Sequence, residues 1–278
     1  MIIDAFLDAV LDTARTLPFL LAAFLVIEAM EHYSGRAASR LLSRVGRFGP
    51  AAGAVFGCIP QCGFSVAAAN LYSGGLISLG TLLAVFLSTS DEAVLILLGH
   101  PGSAGTIFPL LLAKVMLGIA AGYILDFFSR NPKEEKHIGD LCKSCGCSNT
   151  SGVWRPALWH TLRLAVYLLG FTFVLNLVLE FLGVEQLARI LGRDTLLQPF
   201  LAALLGLIPN CASSVLVTEL YLAGGLSFGS AVAGLSAGAG VGLAVLFRSN
   251  RPMKKNFKIL LLLYGIAAGF GILLGVSI

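Results

Sequence analysis

The chain matches itself without a gap when it is shifted by the 149 residues that separate Pro60 from Pro209. Arg40 and Arg44 fall on Arg189 and Arg193, Pro50 on Pro199, and Gly57 on Gly206. Ile59-Pro60 meets Ile208-Pro209, Cys62 meets Cys211, and Ser65-Val66 meets Ser214-Val215. Leu71-Tyr72, Gly75, Ser78 and Gly80 then meet Leu220-Tyr221, Gly224, Ser227 and Gly229, and upstream Phe24 and Glu31 meet Phe173 and Glu180. Apolar composition can produce chance matches among leucines and alanines, but it does not align Pro, Cys, Arg and Tyr in one register. Two homologous halves are the reading, and any fold must build the same unit twice.

The medium of that fold follows from composition. Of 278 residues, 57% are hydrophobic and only 12% charged, against about 25% charged in soluble domains. Apolar runs fall at 17–33, 48–72, 76–98, 106–128, 160–182, 196–222, 226–247 and 256–277. A spanning helix needs about 20 such residues, and no alternating ten-residue pattern of a membrane barrel is present. The class is therefore an all-α polytopic membrane protein, with lipid as its first partner. The net charge of +4 sits in particular loops, which is an orientation signal and does not point to nucleic acid. The first residues lack the basic start and small-residue cleavage site of a signal peptide. Asp4, Asp8 and Asp12 lie opposite Ile3, Phe6, Leu7, Val10 and Leu11, so 1–15 reads as an interfacial amphipathic helix or simply a solvated helix start.

Charge sets the expected topology. Basic residues cluster at Arg36, Arg40, Arg44 and Arg47, at Arg130, Lys133, Lys136 and Lys143, and at Arg248, Arg251, Lys254, Lys255 and Lys258. All three clusters belong on the cytoplasmic side. They share that side only if 48–72 and 196–222 enter and return as hairpins. The expectation is then two inverted structural repeats, each with three spanning helices and one Pro-broken re-entrant helical hairpin, about ten membrane segments in all. The boundaries are 16–128 for the first repeat, 129–158 for a cytoplasmic Cys-rich loop and 159–278 for the second repeat. Both termini fall outside, in a cell (inner or plasma) membrane.

The two prolines explain the hairpins. Pro60 and Pro209 each remove a backbone donor and disfavour helix at the preceding isoleucine. Such broken backbone survives at membrane depth only inside protein or beside a water-filled cavity. One such site could be an ordinary proline kink, but two on inverted repeats match the plan of transporters that bind cargo where broken helices meet.

The residues around the breaks carry candidate chemistry. Cys58, Cys62 and Cys211 offer soft sulfur ligands, although a buried cysteine often only packs. Gln61, Asn210, Ser65 and Ser214 add neutral hydrogen bonds, and free amides after Pro60 and Pro209 would instead suit an anion. In 87–98, "LSTSDEAVLILL", Ser90 precedes Asp91 and Glu92, two carboxylates that are expensive in an apolar run unless they face a cavity or exchange protons. They could hold a hard cation or a coupling proton, or merely cap a half-helix if 76–98 breaks there. The second half has Ala237, Gly238, Ala239, Gly240 and Val241 in these places, so the halves diverge chemically. Asn70, its counterpart Glu219 and Lys114 complete the intramembrane polar set, with Glu219 and Lys114 the candidates for coupling.

The central loop holds Cys142, Cys145 and Cys147, with His137 five residues before the first. In a reducing cytoplasm these thiols would not form stable disulfides. They could complete a tetrahedral zinc site or a soft-metal site, or remain free cysteines, and Lys143 would favour thiolates. No cofactor is otherwise required.

With these residues in view, the chain resembles the ten-transmembrane heavy-metal exporters, a family also described as arsenic efflux permeases or manganese transporters. The resemblance rests on "GCIPQCGFSVAAANLYSGGLISLGTLLAVFLSTSDEA" at 57–93, on "IPNCASSVLVTELYLAGGLSFGSAVAGLSAGAG" at 208–240, and on the Cys-rich loop. It covers nearly the whole chain and implies export of a metal or metalloid. No nucleotide-binding pattern appears, so a proton or ion gradient is the expected energy source. The competing reading is a permease for a small organic or inorganic anion. A membrane enzyme is not expected, since no HExxH or GxSxG motif is present and the four histidines lie in loops or near segment ends. Either transporter could work as a homo-oligomer.

Overall fold

The computed structural model describes residues 48–59, 62–90, 93–100, 104–128, 154–182, 197–209, 211–250 and 252–277, with parts of 6–25. Every regular element among them is helical. In the first half these are α1 (Gly49–Gly57), α2 (Cys62–Ser73), α3 (Leu79–Ser88), α4 (Ala93–Gly99) and α5 (Ala104–Phe128). Next comes α6 (Trp154–Leu182), and then α7 (Gln198–Gly206), α8 (Cys211–Leu222), α9 (Phe228–Ala237), α10 (Val241–Ser249) and α11 (Met253–Ser277).

The sequence offset reappears in the backbone. Shifting α1, α2, α3 and α5 by the Pro60–Pro209 separation reproduces the bounds of α7, α8, α9 and α11. Turn chemistry repeats as well. Gly75 and Gly224 adopt φ of 74° and 75°, a left-handed conformation that favours glycine. The amides after the paired helices bond the same way, Gly75 N to Tyr72 O and Gly224 N to Tyr221 O. Ser78 and Ser227 then act as N-caps, each accepting from the amide three residues on, Thr81 and Ser230.

Packing follows the repeat too. Helices α1, α3 and α5 pack together, as do α7, α9 and α11. The contacts are close because small residues line them. A Cβ on Gly122 of α5 would lie 2.7 Å from Pro50 Cβ and 2.8 Å from Gly80 O; on Gly271 of α11 it would lie 2.6 Å from Ala233 Cβ and 2.7 Å from Gly229 O. Lipid provides no hydrophobic drive between helices, so such interdigitation is what holds membrane bundles together. The halves also exchange elements: α10 packs on α2, and α4 packs on α8.

Three helices among the described residues are long and apolar enough to cross a membrane: Gly105–Phe128, Met253–Val276 and Phe228–Ser249, the last taken through its break. The first two are 33% and 28% buried and present Phe108, Leu112, Met116, Leu261 and Leu273 outward, as lipid-facing helices do. The third is 89% buried and forms the core. This core location explains why 226–247 reads as one uninterrupted apolar run: every neighbour is protein.

Two expectations are altered. The runs 76–98 and 226–247 are each broken, after Ser88 and after Ala237, in addition to the Pro60 and Pro209 breaks. Second, α6 begins at Trp154, inside the span assigned to the loop, with Pro156 in its first turn where its missing donor costs nothing. His137, Cys142, Cys145 and Cys147 lie outside the described residues. Of the amphipathic start, Phe6 stacks edge-on against Phe173 of α6 with ring centroids 5.8 Å apart, while Ala9 is fully buried.

Candidate functional site

Four helix breaks converge at the centre of the molecule. The first follows α1, where Cys58 N and Ile59 N bond back to Ala54 O and Phe56 O before the chain leaves the helix. Its counterpart after α7 makes the equivalent bonds, Leu207 N to Ala203 O and Ile208 N to Leu205 O. The other two lie between α3 and α4 and between α9 and α10.

Glycines bring the breaks into contact. A Cβ on Gly57 would come within 2.6 Å of Val85 O, so the end of α1 sits directly on the last turn of α3. Likewise a Cβ on Gly206 would clash with Gly234 O and come within 3.3 Å of Ala237 Cβ, seating the end of α7 on the last turn of α9. Across the halves, Gly242 at the start of α10 leaves no space for a side chain against Ser65 of α2, whose carbonyl oxygen would lie 2.8 Å from an added Cβ.

Lys114 joins these parts. It is 1% exposed, and its Nζ donates to Thr89 O at the end of α3 and, at 2.9 Å, to Leu235 O in the last turn of α9. Both acceptors belong to helix C-termini, where backbone dipoles leave partial negative charge that favours a cation. One ammonium thus ties the two halves together. The cost of burying it is met by these charge-assisted bonds. Cys58, a free and half-buried thiol, lies within electrostatic reach of the same ammonium.

The end of α3 is hydroxyl-rich. Ser88 Oγ donates to Ala84 O at 2.8 Å, Thr89 Oγ1 to Val85 O at 2.7 Å, and Ser90 Oγ to Ser88 O at 3.1 Å. All three are buried, as is Ala93 beyond the break. The second half supplies Ser236, whose hydroxyl is buried with no hydrogen-bond partner among the described residues.

The structure therefore brings together Cys58, Ser90 and Lys114 from the sequence-derived set, and places Ser65 against Gly242 of α10. Pro209 is half-buried in the second break and Ser214 half-buried in the first turn of α8. Cys62 and Cys211 open α2 and α8, with their side chains outside the described set, as are Pro60, Gln61, Asp91, Glu92 and Asn210. Asn70 and Glu219 lie elsewhere. Asn70 accepts from Ser249 at 3.1 Å at the far end of α2 and α10, and Glu219 is exposed on α8. Among the described residues no three His, Cys, Asp or Glu side chains gather as a metal site.

Sequence reasoning missed Leu235 O, Ser236 and the second-half break itself. The alternation Gly238, Gly240 and Gly242 was the signal: Gly240 adopts φ 52°, which a side chain would strain.

The comparison with protein families matches residues 1–182 and 161–278 to the family described as "Putative, 10TM heavy-metal exporter". The chain belongs to this family. The family is described as one of membrane exporters, which agrees with the long apolar helices among the described residues. Neither the curated proteins nor the solved structures contain a match to this family member.

Proposed function

We propose that the protein is a secondary active transporter that exports a soft metal or metalloid, of arsenite-like or divalent transition-metal chemistry, with cargo bound where the four breaks meet. The observation that carries this reading is the convergence of those breaks on Lys114, Cys58 and the Ser88–Ser90 hydroxyls, deep among small-residue contacts. Cys58, Cys62 and Cys211 would supply soft ligands, with Gln61, Ser65, Asn210 and Ser214 as neutral partners. Asp91, Glu92 and Lys114 would link cargo movement to a proton or ion gradient. Glu219, being exposed, would act at an access path.

In this reading the halves are inverted and α1–α2 and α7–α8 are re-entrant hairpins. Rocking of one half against the other would then open the centre to each side in turn. The cytoplasmic loop with His137, Cys142, Cys145 and Cys147 would capture metal before it enters. Both termini would face outward from the cell membrane.

A small-anion permease is the second reading, favoured by the buried positive charge of Lys114 together with the starts of α2 and α8. Flux into proteoliposomes decides between them, using arsenite, Mn²⁺, Zn²⁺ and oxyanions with and without a pH gradient. Gradient-dependent metal or metalloid flux that falls at least tenfold in a Cys58→Ser, Cys62→Ser, Cys211→Ser variant supports export. Oxyanion flux unaffected by those changes would establish the permease instead.

A further inference from the structure

Lys114 occupies a place with the character of a cation-binding site. Two acceptors of its ammonium, Thr89 O and Leu235 O, are main-chain carbonyls at the C-terminal ends of α3 and α9, one from each half. Each helix end presents roughly half a negative elementary charge. The Leu235 carbonyl falls among the last four of α9, which have no intrahelical amide to accept from. It is Lys114 that satisfies it. The position matching Lys114 in α11 is Leu263, fully buried and apolar, so a single ammonium serves both helix ends. The residue after Leu235, Ser236, keeps a buried hydroxyl without a hydrogen-bond partner among the described residues.

We infer that the facing ends of α3 and α9 form a seat for one monovalent cation, filled in this chain by its own Lys114 ammonium, and that removing the side chain opens the seat to a free ammonium, alkylammonium or alkali ion. The donor chemistry sets the class. Neutral carbonyl and hydroxyl oxygens are hard ligands that suit small cations of low charge, unlike the thiols that suit soft metals. The present occupant, an ammonium bearing a single charge, sets the valence. The seat deepens the transport reading, and rests on it in one respect: a tethered cation stands where a carrier with this plan would bind a free coupling ion.

Thermal unfolding of the purified full-length protein, free of cargo, tests the seat without relying on transport. Wild type, Lys114→Ala and Lys114→Met are compared at constant ionic strength in N-methylglucamine, sodium, potassium, methylammonium and ethylammonium chloride. Wild type should unfold at the same temperature in all five. Lys114→Ala should unfold well below wild type in N-methylglucamine and rise by about 4 °C or more, saturably, in at least one small cation. Lys114→Met fills the space without charge, and should remain below wild type with no cation response. An unresponsive Lys114→Ala, or a Lys114→Met as stable as wild type, would overturn the inference. Should Lys114→Ala not fold, Lys114→Arg decides: retained stability above Lys114→Met supports the seat, and the reverse order defeats it. Absence of metal flux in proteoliposomes would leave these unfolding temperatures unchanged, so the two readings fail separately.

Discussion

The broken core helices of the two halves stop in the same place by different means. In both, the amide one residue past the helix bonds back four residues, Thr89 N to Val85 O and Gly238 N to Gly234 O. In the first half, side chains add to this: Ser88 and Thr89 turn their hydroxyls back onto the carbonyls of Ala84 and Val85. The second half has Ala237-Gly238-Ala239-Gly240 there and turns through Gly240 at φ 52°. A break made of hydroxyls and carboxylates can carry chemistry, whereas one made of glycine carries only shape. The difference teaches that a duplicated scaffold can confine the carboxylates of one break to a single half.

The starts of the same two helices repeat this lesson. Asp126 of α5 accepts from Ser78 Oγ at 2.7 Å and Gly80 N at 2.9 Å, and so completes the cap of α3. For α9 the partner comes from another helix: Gln198 of α7 accepts from Ser230 Oγ at 2.8 Å and Ser227 N, and donates to Gly225 O. Where one half has the polar group, the other has glycine, Gly275 opposite Asp126 and Gly49 opposite Gln198. The task is conserved between the halves while the residue performing it has moved to a different neighbour.

What the halves share should be the most sensitive to change. Gly57→Ala and Gly206→Ala would each drive a methyl into the carbonyl of a packed helix. Both should cost about 3 kcal/mol, at the upper end of overpacking, because backbone cannot rotate away. Unfolding temperatures lowered by roughly 6–12 °C in both would confirm that the seats of α1 and α7 are equivalent. A loss in only one would break the equivalence.

The next largest effect should separate the halves. Gly240→Ala places a side chain at φ 52°, ψ −144°, a region that belongs almost wholly to glycine. The expected cost is about 2 kcal/mol, read as a lowered unfolding temperature. The matching position holds Asp91, so the first half already tolerates a side chain there. Asp91→Ala should therefore cost under about 1 kcal/mol of stability, like an ordinary substitution, while reducing flux. Equal destabilisation by Gly240→Ala and Asp91→Ala would refute the claim that only the second break is built on glycine conformation.

Much of this plan was legible in the sequence because it rests on local chemistry. Pro60 and Pro209 remove donors, and Gly75, Gly224, Ser78 and Ser227 set turns and caps, all with short-range consequences. The repeat then placed these features twice. The second-half break was hidden because Gly238 and Gly240 are apolar to any hydropathy window, and a core helix surrounded by protein has no polar face to mark its ends. Lys114 stood out as a charge, but its acceptors did not: main-chain carbonyls such as Leu235 O have no sequence signature. Asp126 caps a helix 46 residues earlier, a contact that only the packing of α3 on α5 creates.

Smaller effects belong to the caps. Asp126→Ala leaves the Ser78 hydroxyl and the Gly80 amide without their acceptor, and Gln198→Ala does the same at Ser230 and Ser227. Each should cost about 1–2 kcal/mol, the range for lost caps and part-buried hydrogen bonds. If the two tasks are equivalent, unfolding temperatures of the single variants should agree within about 3 °C and the double variant should show their sum. A strongly non-additive double variant would mean that the two caps are coupled through the centre.

The smallest stability effect, and the most selective functional one, should come from Cys58→Ser. Its thiol is half-buried beside the first break, and replacing sulfur by oxygen there changes little volume. Stability should move by less than about 0.5 kcal/mol, as at a partly exposed site without a critical partner. The matching residue of the second half is Leu207, so the repeat does not duplicate this sulfur. Flux of a soft cargo such as arsenite should then fall by about tenfold or more, equivalent to one lost ligand contact of roughly 1.4 kcal/mol, while any hard-ion flux is unchanged. Leu207→Cys, which adds the missing sulfur to the second break, should not restore soft-cargo flux in the Cys58→Ser background. If it does, the two breaks are interchangeable after all, and the one-sidedness of the reactive groups is an accident of sequence without a role in transport.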